Sequence, residues 1–321
     1  MARYDALHLR LIQQKRLSTD EQYEWVDQSA HSPELYAYIE TQGRTFDFLI
    51  FGPYLFGTTY YGSAIYPDRS ILWPHLHDEI YAYLNPTRTM YHGCLGVMFN
   101  TYPESRLAQR LYGAHPGAYV VGELVDFGLS AQADPGRFRE QAAIRPPFVL
   151  YAGRLEGGKN VPLLTRYFQE YKRRRGGPLK LVLMGSGPEA IPAHPDIVNL
   201  GFVPEETKWD AYAAATLVCQ PSVNESFSIT VMEAWLSGVP VLVHADCEVT
   251  RYHVTQSGGG LYFRDYEDFQ SVVDLLLADE SLRRCLGMNG NRYVHAHYGG
   301  EVVMQNLEAA CQQWAALRTT R

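Results

Sequence analysis

The chain has 321 residues, 46% hydrophobic and 20% charged, with a net charge of −7 from 28 basic and 35 acidic side chains. That is enough chain for two ordinary domains with a substantial core. The acidic balance excludes a general nucleic-acid binder, whose electrostatic footprint is basic. The cysteines Cys94, Cys219, Cys247, Cys285 and Cys311 form no C-x-x-C pair, so neither a zinc site nor a disulfide framework is predicted. No apolar run reaches the ~18 residues that a membrane span needs, and no secretory leader is read at the N-terminus. A reduced, cytoplasmic protein without a transmembrane segment is the expectation.

In chain order, the N-terminal stretch predicts helices. Tyr4, Leu7, Leu11 and Ile12 fall at helical spacing, and Ser18-Thr19-Asp20-Glu21 offers caps for a second helix. FDFLIFGPYL is an apolar run ending at Gly52-Pro53 and suits a buried strand. CLGVMFNT (Cys94 to Thr101) predicts a second strand, YPESRLAQRLYG a short helix stopped at Gly113, and AYVVGELVDFG a third strand leading into a turn. The stretch from Ser130 to Pro147, rich in Ala, Asp, Pro and Gly and closed by Pro146-Pro147, predicts a linker. FVLYAG, LKLVLMG, IVNLG, TLVCQPS, VPVLVHA and GGLYF then read as strands. Helical patterns separate several of them, such as Val161, Leu164, Phe168 and Tyr171 on one face.

Unalternated apolar strands joined by helical crossovers mean a parallel sheet covered on both faces. The predicted fold class is therefore α/β. The predicted organisation is a first α/β domain over 1–146, a doubly wound domain over 147–300 and a terminal helix over 301–321. That helix places Val302, Leu307, Cys311 and Trp314 on one face, to pack as a core helix, across a cleft or into a partner. In such sheets ligands sit beyond the carboxyl ends of the strands. The loops after Gly153, Gly185, Gly201 and Pro221 are where chemistry is expected.

The richest loop is PSVNESFSITVMEAWLSGVPVLV. Glu225 sits in a polar loop, a helix begins near Ile229, and Glu233 falls about one turn into it. A helix start offers unpaired amides, here of Phe227, Ser228 and Ile229, and a positive dipole end to an anion. Two carboxylates flanking that start suit the hydroxyls of a sugar and a ribose, although a capping Glu225 and a solvated Glu233 fit the pair alone equally well. YAGRLEGGKNVPLL places Arg154 and Lys159 in a Gly-rich loop after a buried strand. There a planar fork and a mobile point charge could meet phosphates, or could be two surface cations. No Walker pattern is present, so this is no triphosphate loop.

Together these segments resemble the C-terminal domain of family 4 glycosyltransferases, which have the two-domain GT-B fold. The match runs in order through GRLEGGKN, LVLMGSGPE, IVNLGFVPEE, QPSVNESFSITVMEAWLSGVPV and GGLYF, with the E-x7-E spacing of Glu225 and Glu233. The resemblance implies that Arg154 and Lys159 grip a donor diphosphate with Ser228 and Ile229, and that Glu225, Ser226 and Phe227 face the donor sugar. It implies that Glu233 holds the ribose and that Phe202 and Val203 meet the base. Transfer with retention, without metal or other cofactor, from a UDP- or GDP-linked sugar is implied too.

In the N-terminal half WPHLHDE, CLGVMFNT with YPES, and VVGELVDFG resemble the family's acceptor domain, with Glu123 where the family pattern has glycine. His77 is by that resemblance a second catalytic candidate, lining the cleft. His75-x-His77 lacks a third ligand at convincing spacing for a metal. No glycine-rich loop precedes FDFLIF, which implies an acceptor domain shortened by about three strands. Three outcomes stay open: completion by another chain or a second copy, a working minimal enzyme, or a non-catalytic nucleotide-sugar binder. A sugar-nucleotide epimerase or a phosphorylase on the same fold is the further rival, and the acceptor is not legible.

Overall fold

The computed structural model describes residues 2–128, 130–145 and 147–320. Pro146, in the predicted boundary, lies outside the described residues, as do Met1, Leu129 and Arg321. Two compact units result, one built from residues up to Gly122 together with those from Val303 onward, the other from Glu123–Val302.

The first unit holds a parallel sheet in the order β1 (Leu49–Phe51), β2 (Ser70–Leu72), β3 (Gly96–Phe99) and β4 (Ala118–Val120). Its helices up to Gly122 are α1 (Ala2–Ile12), α2 (Thr19–Asp27), α3 (Pro33–Gln42), α4 (Gly57–Ile65), α5 (Asn85–Gly93) and α6 (Tyr102–Tyr112). Ser18 caps α2 in a reciprocal box with Glu21, satisfying two amides that a helix start leaves open. Thr101 caps α6, which ends at Gly113. Strand β2 was not predicted, because three residues are too few to show a period.

The second unit begins with α7 (Pro135–Gln141) and continues through β5 (Phe148–Ala152), α8 (Val161–Arg175), β6 (Lys180–Met184), β7 (Ile197–Asn199) and α9 (Glu205–Ala214). It is completed by β8 (Leu217–Gln220), α10 (Ile229–Leu236), β9 (Val241–His244), α11 (Glu248–Ser257), β10 (Gly260–Phe263), α12 (Tyr266–Ala278) and α13 (Glu280–Tyr298). The sheet is parallel with order β10-β9-β8-β5-β6-β7. Alternate residues feed two cores: Phe148, Leu150, Val182, Val218 and Val241 pack on one face, and Val149, Tyr151, Leu181, Leu217 and Leu242 on the other. Each such side chain, fully removed from water, contributes about 1.5–3 kcal/mol of transfer free energy. That two-faced burial is why the strands read as continuous apolar runs.

The predicted boundary at 146/147 is corrected to 122/123. The Ser130–Pro147 stretch looks like a linker by composition, yet α7 buries Phe138 in the second unit's core. The Arg137 guanidinium reaches the buried Asp210 of α9 at 2.5 Å, and the Asp134 amide donates to the same carboxylate at 2.6 Å. Such long-range ties leave no local sequence signal.

The terminal helix forms as α14 (Gly300–Thr320) and packs as a core helix. From Val303 onward it packs on the first unit's sheet, with Trp314 fully buried and its indole N–H donating to the Gly117 carbonyl at 2.8 Å. Glycine is required at 96, because a Cβ there would lie 2.3 Å from the Trp314 ring nitrogen. Trp314→Ala is expected to destabilise the first unit by about 3–5 kcal/mol, the cost of an emptied aromatic site. Denaturant unfolding checks this, and a loss under ~1 kcal/mol would contradict the packing account.

Candidate functional site

Strand β5 lies between β6 and β8, so the connections leaving β5 and β8 diverge to opposite sides of the sheet. A crevice opens at such a switch point, beyond the carboxyl ends of the strands. A cavity of about 290 Å³ occurs at these strand ends, lined by Ala152, Gly153 and Arg154 after β5, Met184, Gly185 and Ser186 after β6, and Phe202, Val203 and Lys208. The loops are laced together: the Gly153 amide donates to the Met184 carbonyl at 2.9 Å, Leu155 to Ser186 at 3.0 Å and Gly185 to Gly201 at 2.7 Å. Gly185, at φ 135°, admits this approach, since a Cβ would meet the Gly153 carbonyl oxygen at 1.9 Å. Three of the four loops singled out in the sequence thus form one wall.

The fourth loop enters through an ion pair. Lys159 Nζ donates to Glu225 Oε1 at 2.7 Å, and Gln220 Nε2, at the end of β8, lies 3.4 Å from the same oxygen. Both partners of the pair are mostly buried, so it is shielded from solvent. Asn160, left-handed at φ 59°, stands at the N-cap position of α8, and its side-chain amide donates to the Pro221 carbonyl at 3.0 Å, tying the Gly-rich loop to the Glu225 loop. Ser228 takes φ 77° at the N-cap of α10, with buried Phe227 before it and half-exposed Ile229 opening the helix. Ser226 is buried as well. Phe227 is packed edge-on by His253 and Tyr298, at 5.6 and 4.8 Å between ring centres. Burial pushes the His253 imidazole down to about 3, so it packs as a neutral ring.

Glu233 is held on both oxygens. Lys208 Nζ donates to Oε1 at 2.7 Å and the buried Tyr212 hydroxyl to Oε2 at 2.9 Å. Lys208 also meets Glu205 at 2.7 Å. Burial works to lower the Lys208 pKa, but the hydrogen bonds and charges of Glu205 and Glu233 outweigh it and leave the value raised. Glu233 is therefore no solvated helical carboxylate. Arg154, in contrast, lines the cavity with an exposed guanidinium paired only loosely with Glu156 at 3.1 Å, and such a pair holds it weakly. Phe202 is 86% exposed at the cavity wall.

Glu123 also belongs to this unit. Burial, and then the charge of Glu225, push its carboxyl up to about 7. A carboxyl raised on folding contributes stability that is fully present below its ordinary value and is lost as pH rises through the folded one. Glu123→Gln is thus expected to flatten the fall in Tm between pH 5 and pH 8. A thermal-melt series in which the variant and the wild type fall in parallel would contradict this.

His77 lies in the first unit, after β2. Its Nδ1 is 3.4 Å from Glu79 Oε1, which accepts from the Tyr54 hydroxyl at 2.9 Å. His75 has a left-handed backbone, φ 53°, with its ring 4.4 Å from that of Trp73 and its Nδ1 3.2 Å from Asn100 Nδ2. Burial, and then His77, lower the His75 pKa. Among the described residues no group of three His, Cys, Asp or Glu side chains converges to hold a metal ion.

Sequence reasoning missed Lys208, Tyr212, Gln220 and Asn160. Lys208 and Tyr212 stand four apart on α9 and so share a face. Their partner Glu233 lies 25 and 21 positions downstream, which only the fold reveals.

Residues 134–293 match the family described as Glycosyl transferases group 1. A D-inositol 3-phosphate glycosyltransferase from Nocardia farcinica is 31% identical over 240 residues, covering 68% of this chain and 52% of that protein. An uncharacterized glycosyltransferase of Methanocaldococcus jannaschii is 27% identical over 215 residues, covering 63% and 52%. The chain spans about half the length of the curated relatives it matches. Among solved structures, sucrose-phosphate synthase from Thermosynechococcus elongatus superposes with a TM-score of 0.74 at 18% identity, covering 94% of this chain and 81% of that one. Anabaena HepE in complex with UDP gives 0.74 at 14% identity, covering 87% and 82%. The fold is GT-B, and the chain carries a group 1 glycosyltransferase domain. No helix among the described residues is long and apolar enough to cross a membrane.

Proposed function

We propose that this protein is a retaining glycosyltransferase that moves a sugar from a nucleotide-sugar donor to an acceptor hydroxyl without a metal ion. The observation that carries the reading is the pairing of both E-x7-E carboxylates with lysines at the switch-point crevice, Glu225 with Lys159 and Glu233 with Lys208. One charged couple brackets each side of the α10 start. A diphosphate entering there would meet Lys159, Arg154 and the amides around Ser228 and Ile229, whose fixed positive ends take the place of a divalent cation. Glu225, with Ser226 and Phe227, would face the sugar, Glu233 the ribose, and Phe202 with Val203 the base.

Most glycosidases need two carboxylates across the scissile bond. Here the departing diphosphate itself would accept the acceptor's proton on the face it leaves, so that the anomeric configuration is kept. The protein's part is to stabilise the charge growing on that diphosphate. His77, in the first unit, is the second candidate for a catalytic role.

The test is incubation of the wild-type protein, in excess EDTA, with UDP- and GDP-linked sugars and a panel of hydroxyl acceptors, with the product anomer read by NMR. Release of nucleoside diphosphate with a retained anomer supports the reading. An inverted anomer, an epimerised donor formed without acceptor, or tight binding with no hydrolysis or transfer would each overturn it.

A further inference from the structure

Glu225 is gripped from one side only. Both of its protein partners, Lys159 Nζ at 2.7 Å and Gln220 Nε2 at 3.4 Å, meet Oε1. Among the described residues Oε2 has no hydrogen-bond partner, and it is not one of the polar atoms buried without one. That oxygen is therefore accessible.

Stability alone does not explain the second of these partners. Gln220 ends β8, is only 4% exposed, and pairs across the ladder with fully buried Val243. The orientation of its amide is fixed. Turned round, the amide oxygen would face the lone pairs of Glu225 Oε1, so the N–H end is the one that meets the carboxylate. The same Nε2 lies 3.5 Å from Ser228 Oγ, at the N-cap of α10. Gln220 Oε1 is then left buried with no partner among the described residues. A buried acceptor without a donor destabilises a fold, whereas an apolar side chain of the same shape does not.

We propose that Gln220 is a positioning residue for the transfer: with Lys159 it holds Glu225 Oε1 and so turns Oε2 toward the donor sugar. This role rests on the nucleotide-sugar reading above. The last torsion of a glutamate is broad and roughly two-fold, so with Lys159 alone either oxygen could take the ammonium. A second donor on Oε1, carried by a strand inside the sheet, selects one setting and leaves one oxygen for substrate. The contact with Ser228 ties that setting to the helix start. Both Gln220 contacts are long, as such hydrogen bonds often are before a ligand draws the groups together.

The experiment compares the wild type with Gln220→Met, which keeps the length of the side chain and removes its polar end. Hydrolysis of UDP- and GDP-linked sugars gives kcat and KM, calorimetry gives the affinity for UDP and GDP, and thermal melting gives Tm. A fall in kcat of about 10–100-fold is expected, the cost of a misplaced group at a reacting centre. KM and nucleotide affinity stay within about threefold of wild type. Tm is unchanged or higher, because the unpartnered acceptor is gone. A kcat within about threefold of wild type overturns the role. So does a fall in Tm that accompanies the loss of kcat, which would make Gln220 a structural residue. Either result leaves the nucleotide-sugar reading standing. A wild type that binds neither nucleotide, or binds one without turnover, overturns that reading and this role with it.

Discussion

Lys159→Ala is expected to lower the affinity for a nucleoside diphosphate by about a hundredfold, near 3 kcal/mol. Two effects add. The ammonium that would meet the phosphates is lost, and Glu225, only 9% exposed in its side chain, keeps a negative charge with its cation gone. An incoming diphosphate then faces a like charge in a shielded site, where screening is weak. Lys159→Arg is expected to retain binding less well than charge alone suggests, because the planar fork cannot occupy the place of a compact ammonium between Glu225 and the phosphates. Calorimetric titration of UDP and GDP measures the effect. An affinity within about threefold of wild type for Lys159→Ala would remove Lys159 from the phosphate role.

Glu225→Gln is expected to act oppositely on binding and on turnover. The amide keeps the shape and the contact with Gln220 but removes the charge, so Lys159 is released from its partner and nucleoside diphosphate binds as well as before or more tightly. Turnover, by contrast, falls by about 10²–10³, the usual cost of losing one group aimed at the charge that develops in a transition state. Hydrolysis of the donor, with transfer where an acceptor is found, gives kcat, and titration gives the affinity. A parallel loss of both would mean that Glu225 serves the loop's structure rather than the sugar. An unchanged kcat would mean that it does not face the reacting centre at all.

The second unit was largely legible in the sequence because its strands are buried on both faces and its helices are amphipathic. The six strand segments read from the sequence are the six strands of the sheet, and Val161, Leu164, Phe168 and Tyr171 of α8 all face the core. The loops that gather at the cavity were predictable from strand order alone, since glycines at 153, 185 and 201 mark where the chain turns over the strand ends. The first unit was less legible. β2 is three residues long, and α4 (GTTYYGSAI) is framed by residues that read as loop. The placement of α7 and α14 depended on partners more than 70 and 190 positions away, such as Arg137 with Asp210 and Trp314 with Gly117.

At the site, residue types and spacing pointed to Glu225, Glu233, Arg154 and Lys159, but not to how they pair. A lysine expected at the phosphates and a glutamate expected at the sugar prove to be partners in one ion pair, and Glu233 is gripped by a lysine and a tyrosine from another helix. The difference is physical. Spacing within a segment reports which side chains share a face, whereas the charge that neutralises them is chosen by how the loops stack over the sheet.

We propose that this crevice binds a nucleoside diphosphate through protein cations and a helix start, without a divalent ion. Titration of UDP and of GDP into the wild-type protein in excess EDTA tests it directly. Saturable one-to-one binding of at least one of them, competed by pyrophosphate and unaffected by added magnesium, is the predicted result. Binding of neither, or binding that appears only when magnesium is supplied, would contradict it.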